Sequence, residues 1–246
     1  VHTQDWADEG QLHDVEALNV MAFDNKVDVT KLSYNAFLHL YKKYALLSSG
    51  SALGEKCGPL LIAKHDKIKS FNAQSLVAIP GKYTTANSLF SLAFPKNTNT
   101  KEMLFSEIED AVLKGEVDAG VIIHENRFTY EEKGLEKLMD LGEYWEEQTQ
   151  LPIPLGGIVV SKSLDSSVQK KIQRVLRRSI EFAFKFPKES YDYVKQYAQE
   201  INVDVMNSHI QLYVNEYSLD LGDKGREAVC YLFDRKGISK NDLEII

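Results

Sequence analysis

Four short apolar runs, KVDVTKL (residues 26–32), GPLLIAK (58–64), SLVAIPG (75–81) and DAGVIIH (118–124), alternate with segments of helical period. That alternation narrows the fold more than any other feature, because it is the signature of α/β units with mostly parallel strands. In DVEALNVMAF, Val15, Leu18, Asn19 and Ala22 recur at helical spacing, and SYNAFLHLYKKYALL returns to the same period after the first run. TTANSLFSLAF reads as the helix after SLVAIPG. Leu104, Ile108, Ala111 and Val112 share the face of another, with Gly115 where a C-terminal cap belongs.

LPIPLGGIVVSK reads as a proline-punctuated crossover into a returning strand. From Asp165 onward the pattern is nearly all helical. Val168, Ile172, Val175, Ser179, Ala183 and Phe186 form one stripe that Pro187 stops. This order predicts two lobes, the second inserted into the first: residues 1–70 and 158–246 make lobe 1, residues 71–157 make lobe 2, and the cleft between them is the site. Nothing between Trp6 and Asp14 reads as a strand, although a first lobe of this kind needs one or two more. We therefore expect residues ahead of Val1, which is not a Met.

The net charge of −7 argues against nucleic acid or an anionic membrane as partner, since both select clustered Lys and Arg. KKIQRVLRR spreads its charges over the outer faces of an amphipathic helix, which is a solvated surface. Cys57 and Cys230 lie far apart with no CxxC, so neither a disulfide framework nor a metal site is expected, and a reducing cytoplasm suits them. VHTQDWADEG has no secretion-signal pattern, and no apolar run is long enough to span a membrane. GSALGEK is one residue short of a phosphate loop and has Glu55 before its lysine. GxSxG, HExxH and GxGxxG are absent. Tyr191, Tyr197, Tyr213, Tyr217 and Phe233 are read as helix packing.

Three strand ends share one design, with a hydroxyl residue or a histidine at the turn: Ser33, Thr84 with Thr85, and His124. In parallel α/β sheets such ends line the ligand crevice. Ser33 and Thr84 or Thr85 suit helix N-caps, the commoner use of these residues, and a helix start also receives an anion such as a carboxylate. His124 is either a satisfied structural ring or, facing a cleft, a general base. Glu125 and Arg127 are expected to be structural charges that orient the segment or pair with each other.

TKLSYNAF, SGSALGEKCGPLLIAK, IPGKYTTAN, GEVDAGVIIHENRFTY, LGEYWEEQTQLPIPLGGIVVSK and YVNEYSLDLG resemble, in order and interval, the 1,4-dihydroxy-6-naphthoate synthases of the futalosine route to menaquinone. The likeness runs from about Asp14 to Gly222. It implies a two-lobed fold like a type II periplasmic binding protein, working in the cytoplasm as a lyase without metal or cofactor. The implied substrate is a small-molecule carboxylate, cyclic dehypoxanthinyl futalosine. The resemblance assigns the base to His124 and ligand contacts to Ser33, Thr85 and Ala86, with Thr84 adjacent. Members of that family open with a strand and a loop similar to SPCPNDTF, and this chain has neither. The competing readings are the sibling chorismate dehydratase and a solute-binding protein without catalysis.

Overall fold

The computed structural model describes residues 12–55, 57–197 and 203–246. The readings made on residues 1–11, including the search for a strand after Trp6, lie outside them. Asp14 starts helix α1 (Val15–Phe23), its carboxylate accepting the backbone N–H groups of Glu16 and Ala17. Strand β1 (Val29–Ser33), helix α2 (Tyr34–Leu40), and strands β2 (Tyr44–Leu46) and β3 (Ala52–Gly54) follow. The helical reading of SYNAFLHLYKKYALL overran, because Tyr44, Ala45 and Leu46 form β2. All three are buried, and a run buried on every side carries no period that separates strand from helix.

The first sheet is built on β9 (Ile153–Ser161), which pairs with β1 on one edge and with β2 and β3 on the other, always antiparallel. Adjacent glycines allow this close packing. A Cβ on Gly156 would stand 2.6 Å from the Leu32 carbonyl oxygen, and one on Gly157 would stand 2.7 Å from Leu46 Cδ1. The second sheet runs β6 (Thr100–Glu102), β5 (Val77–Ile79), β7 (Ala119–Ile122), β4 (Leu60–Lys64), β8 (Leu135–Asp140). Only the β5 pairings are parallel, where helices α3 (Thr85–Ala93) and α4 (Ile108–Lys114) make the crossovers. The expected mostly parallel pairing is therefore corrected. One long strand returning from the second lobe organises the first sheet, and β4 runs against both its neighbours.

β4 lies in the second sheet, and β9 enters the first sheet at Ile153. Gly115 caps α4 in the left-handed conformation at φ 74°, as its position predicts, whereas Leu104 lies before that helix and is exposed. Helix α5 (Leu141–Thr149) follows β8, and helix α6 (Ser166–Lys185) follows β9. α6 packs Ile172 and Leu176 against Ala45, Leu47 and Val160. Its predicted stripe is turned at the C-terminal end, where Ser179 and Phe186 are exposed. Helices α7 (Val203–Tyr213) and α8 (Gly222–Asp234) complete the first lobe. A single core joins the lobes, running from Leu32 and Leu46 through Phe90 and Trp145 to Phe233.

Thr84 caps α3: its hydroxyl accepts the Asn87 N–H at 3.2 Å and donates to the Gly81 carbonyl at 2.7 Å. Thr84→Ala should therefore lower stability by about 1 kcal/mol. Chemical denaturation measures this as a fall in midpoint, and an unchanged midpoint would mean the cap contributes nothing.

Candidate active site

Between the two sheets lies a cavity of about 460 Å³. All three strand ends singled out in the sequence meet there: Ser33, the Thr84–Ala86 turn and His124. A larger groove of about 670 Å³, lined by His39, Tyr83, Trp145 and Arg235 among others, shares only Thr85 with them. Convergence of the candidates, not size, makes the smaller cavity the candidate site.

β7 carries the chain apolar and extended to Ile123, and at His124 the backbone turns left-handed, with φ 58°. Histidine is among the few residues that tolerate this region, and such outliers cluster where a side chain must be aimed. The 3-10 turn His124–Phe128 that follows is fastened on two sides. Arg127 donates to the Gly58 carbonyl and to Asp140 Oδ2 at 3.2 Å, and lies near the Tyr213 hydroxyl. Asp140 in turn caps α5 through the Gly142 and Glu143 N–H groups. Asn126 donates to Glu109, whose carboxylate also takes Lys133 at 2.6 Å. Arg127 is thus a structural charge, as expected, but its partner is Asp140.

The His124 ring is half-buried, edge-on to Phe105 at 5.0 Å and to His209 at 5.8 Å between centroids. Burial, then the nearby Lys31 and His209, hold its pKa down from 6.5 to about 3. The ring is therefore a free base at neutral pH. Lys31, two residues before Ser33 on β1, opens onto the cleft, and the surrounding protein lowers its pKa. Among the described lining residues it is the one formal charge, and no carboxylate lines the cavity with it. An anion entering here meets that cation.

The hydroxyl residues divide. Ser33 does not cap α2 with its side chain; Asn19 holds it instead, donating to its Oγ at 3.2 Å and accepting its N–H at 3.1 Å. Asn19 also donates to Glu16, which accepts the Tyr83 N–H of the second lobe at 3.0 Å. Ser33 is thereby tied across the cleft. Thr84 is occupied in capping, whereas Thr85 donates to the Leu155 carbonyl of β9 at 2.7 Å. Thr85 and Ala86 begin a nine-residue helix, whose first N–H groups have no acceptor within it.

Sequence reading missed Lys31, His209 and Tyr213. Lys31 shares a strand face with Ser33 by the period of two, and His209 shares a helix face with Tyr213 by the spacing of four, which were the available signals. Tyr213 was read as helix packing but lines the cleft, its hydroxyl pKa raised chiefly by burial. Cys57 lines it too, and burial pushes its thiol up to about 12, which leaves it inert.

A family model described as menaquinone biosynthesis matches residues 9–237. A 1,4-dihydroxy-6-naphthoate synthase of Thermus thermophilus is 41% identical over 92% of this chain and 82% of its own length. One from Streptomyces coelicolor is 40% identical over 90% of this chain and 80% of its own. Among solved structures, a protein from Archaeoglobus fulgidus superposes with TM-score 0.85 at 35% identity, covering 93% of this chain and 86% of that one. The ligand-binding component of an ABC-type import system from Staphylococcus aureus superposes with TM-score 0.68 at 13% identity, covering 96% and 84%. That second likeness shows the fold alone, a two-lobed architecture like that of the solute-binding proteins.

Proposed function

This chain belongs to the menaquinone biosynthesis family, and we propose that its cleft converts cyclic dehypoxanthinyl futalosine to 1,4-dihydroxy-6-naphthoate as a carbon–carbon lyase. The observation that carries the reading is His124, set by a left-handed turn in the wall of a cavity whose one formal charge among the described lining residues is cationic, with burial keeping the ring neutral. His124 takes the proton that starts carbon–carbon cleavage. Lys31 and the first-turn N–H groups of α3 receive the substrate carboxylate. Formation of an aromatic ring supplies the driving force. The proposal includes no metal or cofactor, and it places the enzyme in the cytoplasm, where its two free cysteines would stay reduced.

The test is to offer purified protein the cyclic futalosine and, separately, chorismate. Naphthoate from the first alone supports the proposal; dehydration of chorismate alone would replace it with the sibling enzyme, and binding without turnover would make this a solute-binding protein.

The low pKa of His124 yields a sharper expectation. In the free enzyme the ring stays neutral down to about pH 3, so kcat/KM should show no limb near pH 6.5. A bound carboxylate beside Lys31 offsets one of the charges holding that pKa down. The acid limb of kcat should therefore lie at higher pH than that of kcat/KM. Coincident limbs near 6.5 would contradict both the burial of the base and its coupling to Lys31.

Thr85→Val should raise KM more than Ser33→Ala. Valine strips the donor from the Leu155 carbonyl and crowds the helix start, whereas Ser33→Ala leaves Asn19 bonded to the residue 33 N–H. Equal KM values for the two variants and wild type would refute the assignment.

A further inference from the structure

His209 stands on α7 of the first lobe, and His124 ends β7 of the second, 85 positions earlier in the chain. The fold nevertheless sets the rings 5.8 Å apart between centroids, at 65°, in the wall of one cavity. Tyr213, one turn further along α7, lies edge-on to His209 at 4.7 Å, and its hydroxyl lies near Arg127, the residue that fastens the His124 turn. The neighbours of the two rings therefore meet behind them. Ile210, next to His209 on α7, and Val214, just past the helix end, line the same cavity.

We propose that His209 is a second catalytic residue, which receives the proton taken up by His124 and delivers it to the fragment released from the substrate. This rests on the lyase reading of the cleft. In that reaction a substrate X–H bond breaks towards His124, and its electron pair forms a bond of the new aromatic system. The carbon–carbon bond breaks, and its electrons pass to the departing fragment, which must gain one proton. A relay from His124 to His209 to that fragment returns both rings to neutrality and balances protons and electrons inside the cleft, with no external acid. Both rings suit the task, since burial and then Lys31 also lower His209, to about 4, so that each starts with one N–H and one lone pair.

The experiment compares wild type, His209→Gln, His209→Ala, His124→Asn and the double variant His124→Asn/His209→Ala, using cyclic dehypoxanthinyl futalosine, thermal melting and substrate titration. Expected are near-wild-type melting and KM for both His209 variants, a fall of kcat of about 10²-fold, and partial recovery of His209→Ala in added imidazole. The double variant should be no slower than His124→Asn alone, because a relay cut once is already cut. Wild-type kcat in His209→Ala overturns the proposal, as does a loss of kcat accompanied by equal loss of melting temperature and no rescue. A wild type inert towards this substrate removes the lyase reading and the proposal with it. Turnover by wild type with an indifferent His209→Ala removes the relay only.

Discussion

Arg127→Met is expected to lower the unfolding free energy by about 3–5 kcal/mol, the largest stability effect of any single side chain in the site. Arg127 and Asp140 form an ion pair with side chains only 13% and 4% exposed, so removing the cation strands a buried carboxylate. The Gly58 carbonyl loses its donor as well, and the cost of unmet buried groups adds to that of the broken pair. Lysine should not rescue the loss, because a single ammonium cannot reach both Gly58 and Asp140 as the planar guanidinium does. Denaturant titration of wild type, Arg127→Met and Arg127→Lys measures this. A Met variant within 1 kcal/mol of wild type would show that the pair does not hold the His124 turn.

His124→Asn should leave stability and substrate affinity near wild type and reduce kcat by about 10²–10⁴-fold, the range for loss of a positioned general base. Asparagine is the informative substitution because it tolerates the left-handed backbone at φ 58°, where alanine adds strain. A fall in kcat with KM unchanged locates the lost interaction in the transition state. Near-wild-type kcat in a folded His124→Asn would move the base elsewhere, and a large rise in KM would make His124 a binding group.

What the sequence disclosed and what it hid follow one physical divide. Each strand end carries a local signature, an apolar run stopped by a hydroxyl residue or a ring, so Ser33, Thr84, Thr85 and His124 stand out before any coordinates, whereas Ala86 comes from the resemblance alone. Pairing direction is not local. β9 joins β1, β2 and β3 into the first sheet, but nothing within LPIPLGGIVVSK says that these partners run against it. The same holds for Lys31 of β1 and for His209 and Tyr213 of α7, which lie far apart in the chain yet line one cavity. Capping illustrates the remaining ambiguity. Ser33 and Thr84 look alike in sequence, yet Thr84 caps its helix while Ser33 is held by Asn19, fourteen residues away. Motif resemblance supplied roles that spacing alone left open, and the convergence of those residues on one cavity is the independent support for them.

The central claim is tested most directly by incubating wild type and His124→Asn side by side with cyclic dehypoxanthinyl futalosine and following 1,4-dihydroxy-6-naphthoate by chromatography with mass detection. The account predicts naphthoate from wild type and at most traces from the variant. Naphthoate from neither protein, or at equal rates from both, would contradict it.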